Sequence, residues 1–108
     1  MMDWKRQLRE EGYLEIPGFR IELTLDNTFM DLDYIPRIAV FWEGDDHWHV
    51  LRNPIPRGST LEENWDNAIA VLEKIVAGDE EPRFDDPEVE MAFKKAIKVL
   101  ESDRFNSI

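Results

Sequence analysis

A chain of 108 residues that is 43% hydrophobic and 11% aromatic fits a single domain, residues 1–108, with one core. It has 24 acids against 13 bases, a net charge of −11, and no cysteine. That balance disfavours direct binding to nucleic-acid backbones, which takes clustered Lys and Arg. The missing thiols exclude disulfides and zinc–thiolate sites.

No apolar run approaches the roughly 18 residues of a membrane span, and the start MMDWKRQLREE lacks the apolar core of a signal peptide. These features predict a soluble, cytoplasmic protein with no membrane partner.

Asp3 to Glu11 reads as a short helix with Trp4 and Leu8 on one face and Gly12 as its stop. Tyr13 to Ile16 is a short extended piece, and Pro17-Gly18 suits the centre of a type II turn. Phe19, Ile21, Leu23 and Leu25 then alternate with Arg20, Glu22, Thr24 and Asp26, the period of a strand with one wet face. Asp26-Asn27 ends that strand, and Asn27 to Pro36 reads as a loop with an apolar content high enough to cover a sheet edge or form a short helical turn.

The stretch from Arg37 to Asn53, RIAVFWEGDDHWHVLRN, is a hairpin in sequence form. Its register has two solutions. A three-residue turn, Gly44 to Asp46, pairs Trp42 with Trp48 and gathers Ile38, Val40, Trp42, Trp48 and Val50 on one apolar face. His47 and His49 then fall on the outer face near Phe41. A two-residue turn at Gly44-Asp45 sets Trp42 opposite His47 instead. The first is expected, because it gives the cleaner core.

Pro54 and Pro56 then forbid regular structure up to Gly58. A helix starts at Ser59-Thr60 with a capping-box pattern, carries Leu61, Trp65, Ala68, Ile69, Leu72, Ile75 and Val76 as its stripe, and ends at Gly78. A second starts at Asp86-Pro87, with Val89, Ala92, Phe93, Ala96, Ile97 and Leu100 as its stripe. The tail from Ser102 to Ile108 is expected to fray. All strands precede the main helices, which predicts an α+β domain: an antiparallel sheet of three to four strands after a short N-terminal helix, covered by two C-terminal helices.

For chemistry, the one site-like cluster is Asp45-Asp46-His47-Trp48-His49. His47 and His49 project from the same face of a strand, and with Asp45 they form a candidate metal set. Two imidazoles fall short of the usual ligand count, so the expected number of metals and cofactors is none. No serine elbow, phosphate loop or dinucleotide fingerprint is present, and no catalytic residue is assigned.

The second candidate is Asp79 to Glu90, DEEPRFDDPEVE, where seven of twelve residues are acids. Asp79, Glu80, Glu81, Asp85, Glu88 and Glu90 would steer a partner and Phe84 would anchor it, with Glu62, Glu63 and Asp66 extending the surface. The bland alternative is a solvated linker whose Phe84 tucks into the core.

In architecture the chain resembles small acidic phage anti-CRISPR proteins. The similar stretches are MDWKRQLREEGYLEI at the start, the strands around FRIELTL and RIAVFW, and the helices around LEENWDNAIAVLEKI and PEVEMAFKKAIKVL. One such inhibitor type acts on Cas9 and presents carboxylates where DNA would bind. The resemblance implies a DNA-mimicking inhibitor of a nucleic-acid-binding protein.

The sequence is therefore read first as a non-enzymatic acidic protein that occupies a basic surface on a partner. Antitoxin and immunity protein belong to the same class. A metal-binding domain or metal-dependent enzyme using Asp45, His47 and His49 is a second reading, and a homo-oligomer subunit a third.

Overall fold

The computed structural model describes residues 3–27, 34–43, 45 and 47–101. Its elements run α1 (Trp4–Glu11), β1 (Tyr13–Ile16), β2 (Phe19–Asn27), β3 (Tyr34–Trp42), β4 (Trp48–Val50), α2 (Leu61–Ala77) and α3 (Pro87–Ala96), closed by a 3-10 turn over Ile97–Glu101. The four strands form one antiparallel meander in the order β1-β2-β3-β4. The fold is α+β, as the order of sequence patterns predicts. No helix among the described residues is long and apolar enough to cross a membrane.

Strand alternation builds the core. Leu14, Ile16, Phe19, Ile21, Leu23, Ile38 and Val40 are buried on one sheet face. Against them pack Trp4 and Leu8 of α1, Ala68, Ile69, Leu72, Ile75 and Val76 of α2, and Val89 and Phe93 of α3. Phe93 is the hinge of an aromatic chain. It meets Phe19 edge-on at 5.4 Å and Phe84 at 5.2 Å, while Phe19 stacks on Trp42 at 5.9 Å. Leu61, placed in the α2 stripe by spacing, is 52% exposed, because it sits at the first position of the helix, before the turns that meet the sheet.

Local chemistry sets the ends of the elements. Gly18 turns β1 into β2 with φ 85°, the value that position demands in a type II turn. Thr60 caps α2, its hydroxyl accepting from the Glu63 amide at 3.1 Å. Asp86 caps α3 by accepting from the Glu88 amide at 2.9 Å, with Pro87 at the first helical position. Gly58 is held against α2: a Cβ there would collide with the Cβ of Glu63 and lie 3.1 Å from the Glu63 carbonyl carbon.

Two expectations are corrected. The loop predicted over Asn27 to Pro36 is shorter, because β2 and β3 pair as far as Asn27↔Tyr34 and Leu25↔Pro36 pair within the ladder. Tyr34 and Ile35 are strong strand formers, and Pro36 is tolerated for a geometric reason. The Ile38 carbonyl accepts from the Leu51 amide at 2.8 Å, so even-numbered residues of β3 aim their polar groups at the β4 side. β4 ends short of Pro36, so the donor Pro36 lacks is not needed there. The central part of that loop and the tail Ser102–Ile108 lie outside the described residues.

The hairpin register is the second correction. Phe41 pairs with Trp48, Val40 with His49 and Ala39 with Val50. This is the register of the two-residue turn, so Trp42 and Trp48 do not pair. The one-residue shift exchanges the faces of β4. It puts Leu51, only 4% exposed, beside Ile38 in the core, and turns Trp48 outward, 47% exposed. Leu51 in place of Trp48 completes the inner layer, and the indole keeps a partner outside, with Phe41 at 5.3 Å.

Candidate functional site

The connector between α2 and α3 is folded onto the molecule by one buried amide. Asn53, 4% exposed, follows β4 and shares the inner parity of Leu51. Its Nδ2 donates to Glu80 Oε2 and to the Glu81 carbonyl, both at 2.8 Å, and its Oδ1 accepts from the Arg83 amide at 2.8 Å. The Arg52 amide donates to the Arg83 carbonyl at 2.7 Å. A side chain that offers both donor and acceptor can satisfy backbone of both kinds, which a carboxylate cannot. Sequence reasoning missed Asn53; the only signal was a neutral amide just ahead of Pro54.

The acids then divide into two groups. Glu80 accepts from Asn53, and Glu90 accepts from the Phe84 amide at 2.9 Å. Glu63 accepts from the Ser59 amide at 2.7 Å, holding the approach to α2. Asp66 pairs with Arg9 of α1, Glu81 with Lys94 at 2.6 Å, and Asp85 grips Arg52 through Nε and Nη2 at 3.0 and 2.5 Å. Lys94 holds the Glu81 carboxyl below its ordinary range, through the hydrogen bond first and charge second. Arg52 does the same for Asp85, again chiefly by the hydrogen bond. Glu62, Asp79 and Glu88 remain: exposed carboxylates to which the described structure assigns no side-chain partner.

Phe84 is corrected outright. It is 8% exposed and packed edge-on against Phe93, so it belongs to the core and is no anchor for a partner. The cause is the pair of clamps on either side of it, Asn53 on the Arg83 amide and Glu90 on its own amide.

At the hairpin, the Asp45 carboxylate accepts from the His47 amide at 3.3 Å and meets His49 Nε2 at 2.9 Å. His49 is half-buried on the inner side of β4 and His47 is exposed, so the pair does not stand beside Phe41 as expected. A metal at His49 Nε2 would have to displace Asp45 or share it. Among the described residues no three ligating groups come together around a common point.

Compared with protein-family models, curated proteins and solved structures, the chain matches none.

Proposed function

We propose that this protein is a non-enzymatic acidic binding protein that occupies a basic, nucleic-acid-binding surface of a protein partner, as an anti-defence inhibitor, antitoxin or immunity protein does. The observation that carries the reading is the set Glu62, Asp79 and Glu88. They are exposed carboxylates at the starts of α2 and α3 and on the connector, and among the described residues none of them makes a side-chain hydrogen bond or ion pair. Residues 59–108 hold thirteen of the 24 acids and six of the 13 bases, so this half carries most of the net charge. A field of that kind speeds encounter with a basic partner and weakens with salt.

The test starts from a partner recovered by affinity capture from the source cells and identified by mass spectrometry. Its association is then measured with the parent and with Glu62→Lys, Asp79→Lys and Glu88→Lys combined. Two of these substitutions put a cation at a helix start, which costs about 0.3–1 kcal/mol each, so the variant melts slightly below the parent. The reading expects association slowed by tens-fold or more, and a parent rate that falls steeply with salt. A partner whose rate ignores both the reversal and the salt would remove the reading and leave the charge as a solubility device.

A further inference from the structure

The helices pack on one face of the sheet, and the other face carries a knob and a hole in a single row. That row runs Glu15, Arg20, Phe41, Trp48, each residue paired with the next across β1, β2, β3 and β4. At the β4 end Trp48 stands out, 47% exposed and backed by the Phe41 ring. At the β1 end lies a cavity of about 330 Å³, with Glu15, Gly18, Arg20, Phe41 and Glu43 in its walls. That volume is at the lower end for sites that hold a small ring system, roughly 300–1,000 Å³.

The walls of the hole suit an indole. The Arg20 guanidinium lies 4.1 Å over the Tyr13 ring, and its Nε donates to Glu22 at 2.9 Å. The side chain is thereby held in place and is still 41% exposed, a flat cation on which a second ring can stack. Glu15 and Glu43 are exposed carboxylates beside it, and an indole N–H needs only an acceptor. Charge points to a second copy of this chain as the source of that indole. The described side chains on this face of the strands include Glu15, Glu22, Arg20 and Arg37, two acids and two bases, although the chain as a whole stands at −11. Two copies meeting through these strands add no local repulsion.

A two-fold axis set between two such faces, along the strands and close to Phe41, brings β4 of each copy over β1 and β2 of the other. Strands lie about 4.8 Å apart and facing sheets about 10 Å apart, so each Trp48 reaches the opposite hole. We propose that the protein forms a two-fold dimer through this face, with Trp48 of each copy seated beside Arg20 of the other. The contact is isologous: one row supplies both halves of it. β1 and β4 are only four and three residues long, so the buried area falls near the roughly 1,000 Å² at the low end of specific interfaces. The dimer is accordingly weak, dissociating on the order of tens of micromolar. It leaves α2, α3 and their connector outside the contact, and therefore presents two acidic surfaces. The inference does not depend on what those surfaces bind.

The test is sedimentation velocity of the full chain from micromolar to millimolar concentration, at low and high salt. The proposal expects a monomer–dimer equilibrium that tightens with salt, because salt screens the long-range repulsion between two acidic bodies. Trp48→Ala removes the knob and Glu15→Phe fills the hole. Each should weaken self-association at least about tenfold, with the melting transition retained. An equimolar mixture of the two variants should associate better than either alone, since unlike copies still share one intact knob and one intact hole. Three results would overturn the proposal: a parent that stays monomeric at millimolar concentration, self-association that salt weakens or that neither substitution changes, or a mixture that associates no better than its components.

Discussion

The acidic stretch from Asp79 to Glu90, the connector with the first turn of α3, and the hairpin around Gly44 stand out equally in the sequence, and the structure turns them in opposite directions. The connector is the most charged stretch of the chain, yet Glu80, Phe84 and Glu90 point back into the fold and hold it to Asn53 and α3. The hairpin is the most aromatic stretch, yet Trp48 faces out. Composition reports what a segment contains, whereas hydrogen-bond supply and strand parity decide which way its side chains face. A loop that must satisfy buried backbone amides draws acids inward as acceptors. A strand shifted by one residue exchanges its faces whatever its hydrophobicity.

The widest contrast is between Phe84 and Trp48. Phe84→Ala empties a site between α3 and the connector and should cost about 3–5 kcal/mol. Trp48→Ala removes a half-exposed ring and its contact with Phe41, and should cost about 1 kcal/mol. Denaturant unfolding of the two variants measures both. Equal losses would mean that Trp48 is a core residue after all and that the register is the three-residue one.

A smaller effect tests the clamp itself. Asn53→Ala leaves the Arg83 amide without its acceptor and frees the connector at its middle. The expected loss is about 1–3 kcal/mol, the range for a buried partner left unsatisfied. Hydrogen exchange should show the gain in opening confined to residues near Arg83 and Phe84. Exchange that rises equally across the sheet would mean that Asn53 serves the whole core and not the connector.

The smallest effect concerns Glu81 and Asp85, whose ordinary values are 4.5 and 3.8. Both are lowered in the folded state, by Lys94 and Arg52. Their stabilisation is therefore complete above those ordinary values and is lost as pH falls through the lower folded ones. The double variant Glu81→Gln, Asp85→Asn should melt a little below the parent at pH 7, and the gap should close as pH drops below 3.8. Both pairs are exposed, so added salt should narrow the gap at neutral pH as well. A gap that widens on acidification would contradict the assignment.

Much of the fold was legible in advance because several local signals agreed. Thr60 and Gly78 bound α2, Asp86-Pro87 opens α3, and the alternation from Phe19 to Leu25 is a strand pattern without a break. The β4 register was not legible, because both turn lengths leave a plausible apolar face, and the choice depends on whether Leu51 or Trp48 completes the inner layer. Tyr34 to Pro36 misled because a proline reads as a strand breaker, and only the neighbouring strand's length shows that its missing donor is harmless. In the candidate site, the excess of acids was plain, but not which acids the fold consumes. That depends on Asn53, Arg52 and Lys94, which meet the connector from distant parts of the chain.

That division of the acids is the centre of the account, and neighbouring residues allow it to be tested with the chemistry held constant. Asp79 lies beside Glu80, and Glu88 two residues from Glu90. Thermal melts of Asp79→Lys, Glu88→Lys and of Glu80→Lys, Glu90→Lys compare two reversals of the same size in the same stretch. The first pair should melt within a few degrees of the parent, since relief of repulsion offsets the cost at the α3 start. The second places ammonium groups against the Asn53 amide and the Phe84 amide, and should lower the transition by on the order of 10 °C or more. Equal melting of the two variants would contradict the account: the fold would then make no distinction among these carboxylates, and Glu62, Asp79 and Glu88 would have no special claim to a partner.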